Sequence, residues 1–327
     1  MQAVIRSVDS AVPSKRMAND EFAAFLDTSD EWIYSHTGIK FRHVAAPEQA
    51  TSDLALEACK KLLKKTKFPP EKIDLVILAS LTSDFIGFPS SASIVQDGIG
   101  AKNAAAFDLQ AGCTGFIYSL ETARNFILGG GAKNVLVVGA ETLSRISDPN
   151  DRNTCVLFGD GAGAVLVCAD SGEPARGLLF SILHSDGSGA KWLDRPGGGS
   201  RHPFLSNGNN HSQYLQMDGR QVYNFAVKAV SEGILELLTA KGLSVNDITY
   251  IVPHQANARI IEAAAKRAKI PLEKFYVNIQ EYANTSAASI PIALSEMVEK
   301  GLLKKGDLIL TYGFGAGLTW GGNLIRW

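Results

Sequence analysis

The sequence predicts an α/β fold of two similar halves, each a run of βαβαβ units, packed as five layers in the order α-β-α-β-α. Three observations predict it. Solid apolar runs such as Asp74–Ala79 (DLVILA) and Asn134–Ala140 (NVLVVGA) read as strands covered on both faces, the pattern of a largely parallel sheet. Stretches of helical periodicity alternate with these runs. The order then recurs: Ile248–Pro253 (ITYIVP) matches DLVILAS, residues 277–297 match FDLQAGCTGFIYSLETA, Asp307–Tyr312 (DLILTY) matches NVLVVGA, and Leu318–Trp327 closes the second half as Ala162–Ala169 closes the first. The halves are expected to divide into residues 1–172 and 173–327.

In chain order, a first strand is expected near Gln2–Ser7, a helical stretch over Asn19–Leu26, and a capped helix start in TSDEWI. Ser52 is expected to cap an amphipathic helix whose stripe is Leu54, Ala55, Ala58, Leu62 and Leu63, with Cys59 inert on the buried side. A helix follows Pro89 over Ser90–Gly98. Phe107–Leu109 reads as a strand, Ala111 and Gly112 as a tight turn, and Thr114 onward as a helix with Phe116, Ile117, Leu120 and Ala123 on one face. A loop rich in Gly, Ser and Asn spans Arg195–Gln213 and contains His202 and His211. Another helix runs over Asn257–Lys269.

Composition narrows the function. With 327 residues, 46% of them hydrophobic, the chain can bury a large core, and a net charge of -1 gives no global attraction to nucleic acid or anionic lipid. The four cysteines, Cys59, Cys113, Cys155 and Cys168, have no CxxC spacing, which argues against a disulfide framework or a zinc site and fits a reducing cytoplasm. The start of the chain lacks the apolar stretch of a signal peptide, and no apolar run is long enough to span a bilayer, so neither export nor membrane insertion is expected.

Cys113 stands where a helix begins, and a helix N-terminus favours thiolate over thiol. The stretch by itself fits either a nucleophile or a small buried filler. His254 ends an apolar strand immediately before a helix, the place where α/β sites form. Asn284 falls near the place of Cys113 in the repeat, so pseudo-symmetry could bring Cys113, His254 and Asn284 together. The Gly-rich segments FGDGAGA and YGFGAGLTWGG lack the helix and Lys-Ser/Thr pair of a phosphate loop. The second suits close backbone approach, with free N–H groups for an oxyanion. A papain-like protease also uses Cys, His and Asn in this order, but AGCTGF in mid-chain lacks its local signature.

Together DEWI, AGCTGF, DR in DPNDRNT, FGDGAGA, HQAN, NTSAASIP and GFGAGLTWG resemble β-ketoacyl-acyl carrier protein synthase III, the initiating condensing enzyme of type II fatty acid synthesis. The resemblance covers essentially the whole chain and implies the thiolase fold. It implies that Cys113 takes an acyl group from a coenzyme A thioester, and that His254 and Asn284 bind the malonyl thioester carbonyl of malonyl-acyl carrier protein. The backbone N–H groups of Cys113 and Ala316 would form the oxyanion hole, with no metal or redox cofactor. Trp32 and Arg152 would sandwich the adenine, and Gly219 and Asn257 would line the pantetheine tunnel. Phe88 would reach across a homodimer to wall the partner's acyl pocket. Arg259, Lys266 and Arg267 would dock the acidic carrier protein. Two departures stand out: His36 occupies a position where the family usually has a phosphate-binding arginine, and Asn224 one that is often lysine. The alternative within enzymes is a specialised-metabolism paralogue that passes its acyl group to a non-malonyl acceptor.

Overall fold

In a computed structural model, residues 1–172, 176–204 and 212–327 are described. Strands β1 (Gln2–Ala11) and β2 (Lys15–Ala18) precede helix α1 (Asp30–Thr37) and β3 (Phe41–Val44), which pairs with β2. Then α2 (Thr51–Thr66), β4 (Leu75–Ala79), α3 (Ser91–Gly98), β5 (Ala105–Leu109), α4 (Gly115–Leu128), β6 (Asn134–Thr142) and β7 (Asp160–Asp170) follow. They form a sheet of order β1-β7-β6-β4-β5, in which β4 is parallel to β5 and β6 while β7 is antiparallel to β6 and β1.

The chain continues with β8 (Gly177–Ser185), a two-stranded ribbon of β9 (Leu193–Asp194) and β10 (Gln216–Met217), α5 (Gly219–Ala240), β11 (Tyr250–Pro253) and α6 (Ala258–Ala268). It ends with the single turn α7 (Ile279–Tyr282), α8 (Ser289–Glu299), β12 (Leu308–Gly315) and β13 (Thr319–Arg326). The second sheet, β8-β13-β12-β11, repeats the first: these strands stand where β1, β7, β6 and β4 stand, with the same relative directions. The counterpart of β5 shrinks to one parallel bridge, Ile251 to Phe275.

The layers follow from strand alternation. In β4, Ile77 faces the middle of the molecule and Val76 and Leu78 face outward; in β6, Val135 and Val137 face inward and Leu136 and Val138 outward. The outward set packs under Leu54, Ala58 and Leu62 of α2 and Ala92 and Val95 of α3. The inward set meets Phe116 and Leu120 of α4 and Ile290 and Leu294 of α8, which also touch Val252, Ile309 and Ile325 of the second sheet. On its far side, Ile251, Leu310 and Tyr312 pack under Ile234 of α5 and Ile260 of α6. Strands covered on both faces are apolar at every position, which is why they read as solid runs.

Several local expectations differ from the structure. Both sheets are mixed rather than largely parallel: only residues 316–318 join β12 to β13, too few for a parallel crossover. Ser52 does not cap α2. The helix opens two residues earlier, with Ala50 as its N-cap, where the Asp53 carboxylate accepts the Ala50 N–H at 2.8 Å, and Ser52 instead donates its hydroxyl to Asp84 at 2.6 Å. The helical stretch expected over Asn19–Leu26 is a shorter 3-10 helix, Asn19–Ala24. Ser90 and Asn257 do cap α3 and α6, accepting from the N–H groups of Ser93 and Arg259. The expected boundary at 172/173 abuts residues 173–175, and His211 with much of the Gly-rich loop lies in 205–211; both stretches are outside the described residues. Among the described residues, no helix is long and apolar enough to cross a membrane.

Candidate active site

Cys113 sits in the turn between β5 and α4. Gly112 adopts φ +57, and a Cβ there would lie 2.8 Å from Ala316 N and 2.5 Å from Ala316 O, so only glycine lets the C-terminal loop approach this turn so closely. Thr114 occupies the N-cap of α4 but turns its hydroxyl to the Ala111 carbonyl at 2.5 Å, leaving the first amides of the helix without a side-chain cap. The positive end of α4 thus faces the cysteine. Burial nevertheless dominates: with 7% exposure, the Cys113 thiol is pushed up to about 12, against the opposing influence of Ser286. The helix N-terminus was expected to depress this thiol; loss of water around the sulfur outweighs it in the resting protein.

His254 follows β11 and is 2% exposed. Its N–H donates to the Tyr312 carbonyl at 2.7 Å, its Nδ1 lies 2.7 Å from Ser289 Oγ, and Phe314 meets the ring edge-on with centroids 5.6 Å apart. Burial lowers the imidazole to about 3, so it is neutral near pH 7. Asn284 is held by its backbone between Leu157 and Gly159, with hydrogen bonds of 3.0 Å each. Its side-chain oxygen accepts the Ser286 N–H at 2.9 Å, which leaves the NH2 group as the free donor. The following segment lies directly on β6, where a Cβ on Gly139 would come within 2.2 Å of the Ala287 carbonyl oxygen.

These three side chains line one cavity of about 440 Å³, together with Trp32, His36, Arg152, Gly219 and Asn257. A second cavity of about 660 Å³ shares Cys113, Phe158 and Leu193 with it and is bounded by Ala316, Ser286, Leu81, Phe85 and Ile86. Cys113 is therefore at the junction of a passage leading out past Trp32 and a second chamber, lined by Leu81, Phe85, Ile86, Leu143 and Ile146 but also by Asp108, Asp194 and Arg195. That arrangement suits a thiol that receives a group through one passage and stores its apolar tail in the other.

Other expected sites are arranged differently. The Arg152 guanidinium lies over the Trp32 ring at 4.7 Å and donates to the Asp27 carbonyl at 2.5 Å, while His36 stacks on Trp32 at 4.5 Å. A ring inserted between two flat groups needs about 7 Å, one van der Waals separation on each side. The adenine slot expected between Trp32 and Arg152 is thus closed, and Arg152 must swing away to open it. On α6, Arg267 is paired with Glu232 of α5 at 2.8 Å, so it is not a free cation, whereas Arg259 and Lys266 border a surface groove with Tyr223 and Glu262. Phe88 is 88% exposed, beside exposed Phe85 and Ile86, which rules out an ordinary core role within this chain. Asn224 is exposed on α5.

Phe314, Ser286 and Ser289 were not singled out from sequence, although Phe314 lies in GFGAG and both serines in NTSAASIP. Glu141 also escaped notice. It is fully buried at the end of β6, where its carboxyl accepts from the Thr82 hydroxyl at 2.6 Å and from the Leu81 N–H, and burial raises it to about 7.

Comparison with known proteins agrees over the whole chain. Residues 107–187 match the family model 3-oxoacyl-[acyl-carrier-protein (ACP)] synthase III, and residues 238–327 match its C-terminal model. The chain is 51% identical to a β-ketoacyl-[acyl-carrier-protein] synthase III of Caldanaerobacter subterraneus, covering 99% of this chain and 98% of that one. The crystal structure of the 3-oxoacyl-[acyl-carrier-protein] synthase III of Aquifex aeolicus superposes with a TM-score of 0.91 at 43% identity, covering 99% of this chain and 100% of that one. That of the β-ketoacyl synthase III of Thermus thermophilus gives 0.92 at 45%, covering 99% of each.

Proposed function

From membership of the β-ketoacyl-acyl carrier protein synthase III family, to which this chain belongs, we propose a division of labour in which Cys113 carries the acyl primer while His254 and Asn284 activate the malonyl unit. The enzyme is a condensing acyltransferase of the thiolase fold that initiates fatty acid synthesis. The observation that carries the assignment is the convergence of a buried thiol, a neutral imidazole and an oriented amide on one cavity.

In the first half-reaction Cys113 Sγ attacks the acyl-CoA carbonyl, the bond to the coenzyme A sulfur breaks, and the thiol proton leaves with that sulfur. The positive end of α4 favours the sulfur as it becomes negative. In the second, the bond between the malonyl α-carbon and its carboxylate breaks, carbon dioxide departs, and the electron pair remains as an enolate. His254 and Asn284 donate hydrogen bonds to the enolate oxygen. The enolate carbon attacks the acyl-Cys113 carbonyl, whose oxyanion is held by the N–H groups of Cys113 and Ala316, and collapse expels the Cys113 thiolate, which takes a proton from water to restore the thiol. One such donor is typically worth about 3 kcal/mol. The new carbon–carbon bond takes its electrons from the one broken, so the scheme needs no redox cofactor.

Coenzyme A enters past Trp32, His36 and Arg152, with Gly219 and Asn257 along the passage. The carrier protein docks on Arg259 and Lys266. The exposed loop of Phe85, Ile86 and Phe88 is covered by a second copy, whose Phe88 closes the second chamber against its apolar wall of Leu81, Phe85 and Ile86. The halves 1–172 and 173–327 supply Cys113 and the His254–Asn284 pair respectively, and the protein works in the cytoplasm. Transfer to a non-malonyl acceptor is not favoured, since the relatives at 43–51% identity are all named as synthase III.

Intact-mass analysis with a panel of acyl-CoAs, followed by malonyl-carrier protein, tests the scheme. Cys113→Ala is expected to take up no acyl mass, and His254→Ala and Asn284→Ala to load normally but discharge at least 100-fold more slowly. A stable adduct on Cys113→Ala would refute the nucleophile assignment.

A further inference from the structure

The hydrogen bonds around His254 decide which of its nitrogens carries the proton. The ring has one proton to place while neutral, and its Nδ1 faces Ser289 Oγ at 2.7 Å. That hydroxyl also accepts the Gln255 N–H at 3.3 Å. An amide N–H only donates, so the Ser289 proton has one acceptor within reach among the described residues, and that acceptor is Nδ1. We infer that Ser289 is a positioning residue: its hydroxyl donates to Nδ1, confines the ring proton to Nε2, and so presents His254 to the cavity as a hydrogen-bond donor.

The neighbouring group is fixed in the same sense. The Ser286 N–H occupies the Asn284 side-chain oxygen and leaves its NH2 free. Two donors, Asn284 and His254, then converge on the cavity, one held directly by the Ser286 backbone and one indirectly through the Ser289 side chain. Both serines follow Asn284 in NTSAASIP, at a 3-10 turn and at the first residue of α8, so a single stretch of chain sets the polarity of both groups. With Nε2 protonated, His254 has no lone pair on the cavity side. It serves the enolate oxygen as a donor and takes no proton from Cys113, whose proton leaves with coenzyme A.

This inference rests on the proposed role of His254, and the test separates the two. Ser289→Ala, Ser289→Thr and His254→Ala are each assayed for acyl loading by intact mass and for discharge by malonyl-carrier protein, and the ring nitrogens of 15N-histidine-labelled protein are followed by NMR. Ser289→Ala is expected to load within about twofold of wild type, to condense 10- to 100-fold more slowly, and to lose the pure Nε2–H signature at His254; Ser289→Thr, which keeps the hydroxyl, restores both. If His254→Ala is impaired while Ser289→Ala condenses at the wild-type rate, the positioning role is wrong and the reading of His254 stands; if wild-type His254 carries its proton on Nδ1, both the positioning role and the donor role of His254 fail. If His254→Ala itself condenses normally, that reading fails first. Equal loss of loading and condensation in Ser289→Ala would mark a packing defect and also overturn the proposal.

Discussion

His36 shows how one side chain can alter a substrate's entrance. Its Nδ1 donates to the Trp32 carbonyl at 2.7 Å, which commits one ring nitrogen and leaves at most a single ring N–H for a phosphate. Arginine would offer a fixed charge and several donors at the same helix position. His36→Arg is therefore expected to lower the Michaelis constant for acyl-CoA several-fold at low salt, with the gain shrinking in 0.5 M salt. A constant unchanged at either ionic strength would remove His36 from the phosphate contacts. Cys113, His254 and Asn284 were legible in sequence because reactive residue types recurred at repeated strand ends. Ser289 was not, because a serine near a helix start is usually read as a cap and nothing in sequence places it against an imidazole. The closed Arg152–Trp32 contact was equally hidden, since sequence names a pair without giving its spacing.

Among the elements, α6 carries the clearest electrostatic contrast. Arg267 is tied to Glu232 across the α5–α6 contact, while Arg259 and Lys266 face the groove beside Tyr223. Arg259→Glu is expected to raise the Michaelis constant for malonyl-carrier protein at least fivefold at low salt, Arg267→Glu less than twofold, and neither should alter acyl-CoA loading. Equal effects on both substrates would point to a shared entrance role instead of carrier docking. Helix extents were legible over Ser90–Gly98 and Asn257–Lys269, whose expected first residues stand one place before the helix as its N-caps. They were misjudged at Ser52 because Thr51, Ser52 and Asp53 are all polar and the box closes through Asp53 onto Ala50. In the repeat, residue 277 onward matches the stretch that begins with the strand Phe107–Leu109, but here the Asn278 N–H goes to the Gln255 side chain at 3.0 Å and a turn follows in place of a strand.

At the scale of the molecule, Glu141 links stability to pH. Burial raises its carboxyl from 4.5 to about 7 in the folded state, so between those values the folded protein holds a proton that the unfolded chain has released. Stability from this group is full below about pH 4.5, declines as pH rises, and is lost above about 7. The melting temperature is expected to fall between pH 5 and 8, and Glu141→Gln, which stays neutral, to flatten that fall and melt at least as high as wild type at pH 8. Parallel curves for the two proteins would exclude Glu141 as the source. The duplicated five-layer plan was legible because doubly covered strands are apolar at every position. Strand direction was not, because an apolar run records what covers a strand and says nothing of which way its neighbour points.

Helices α4 and α8 each press on both sheets, and they begin just beyond Cys113 and Asn284 respectively. A change of volume in that shared layer would displace thiol and amide together. Side chains at the mouth, such as the exposed His36 beside Trp32, are anchored in no such layer. Divergence thus has two unequal routes: a lineage can acquire a new acyl donor or carrier through single replacements at the rim, whereas a new bond-forming step would require coordinated change in both halves at once.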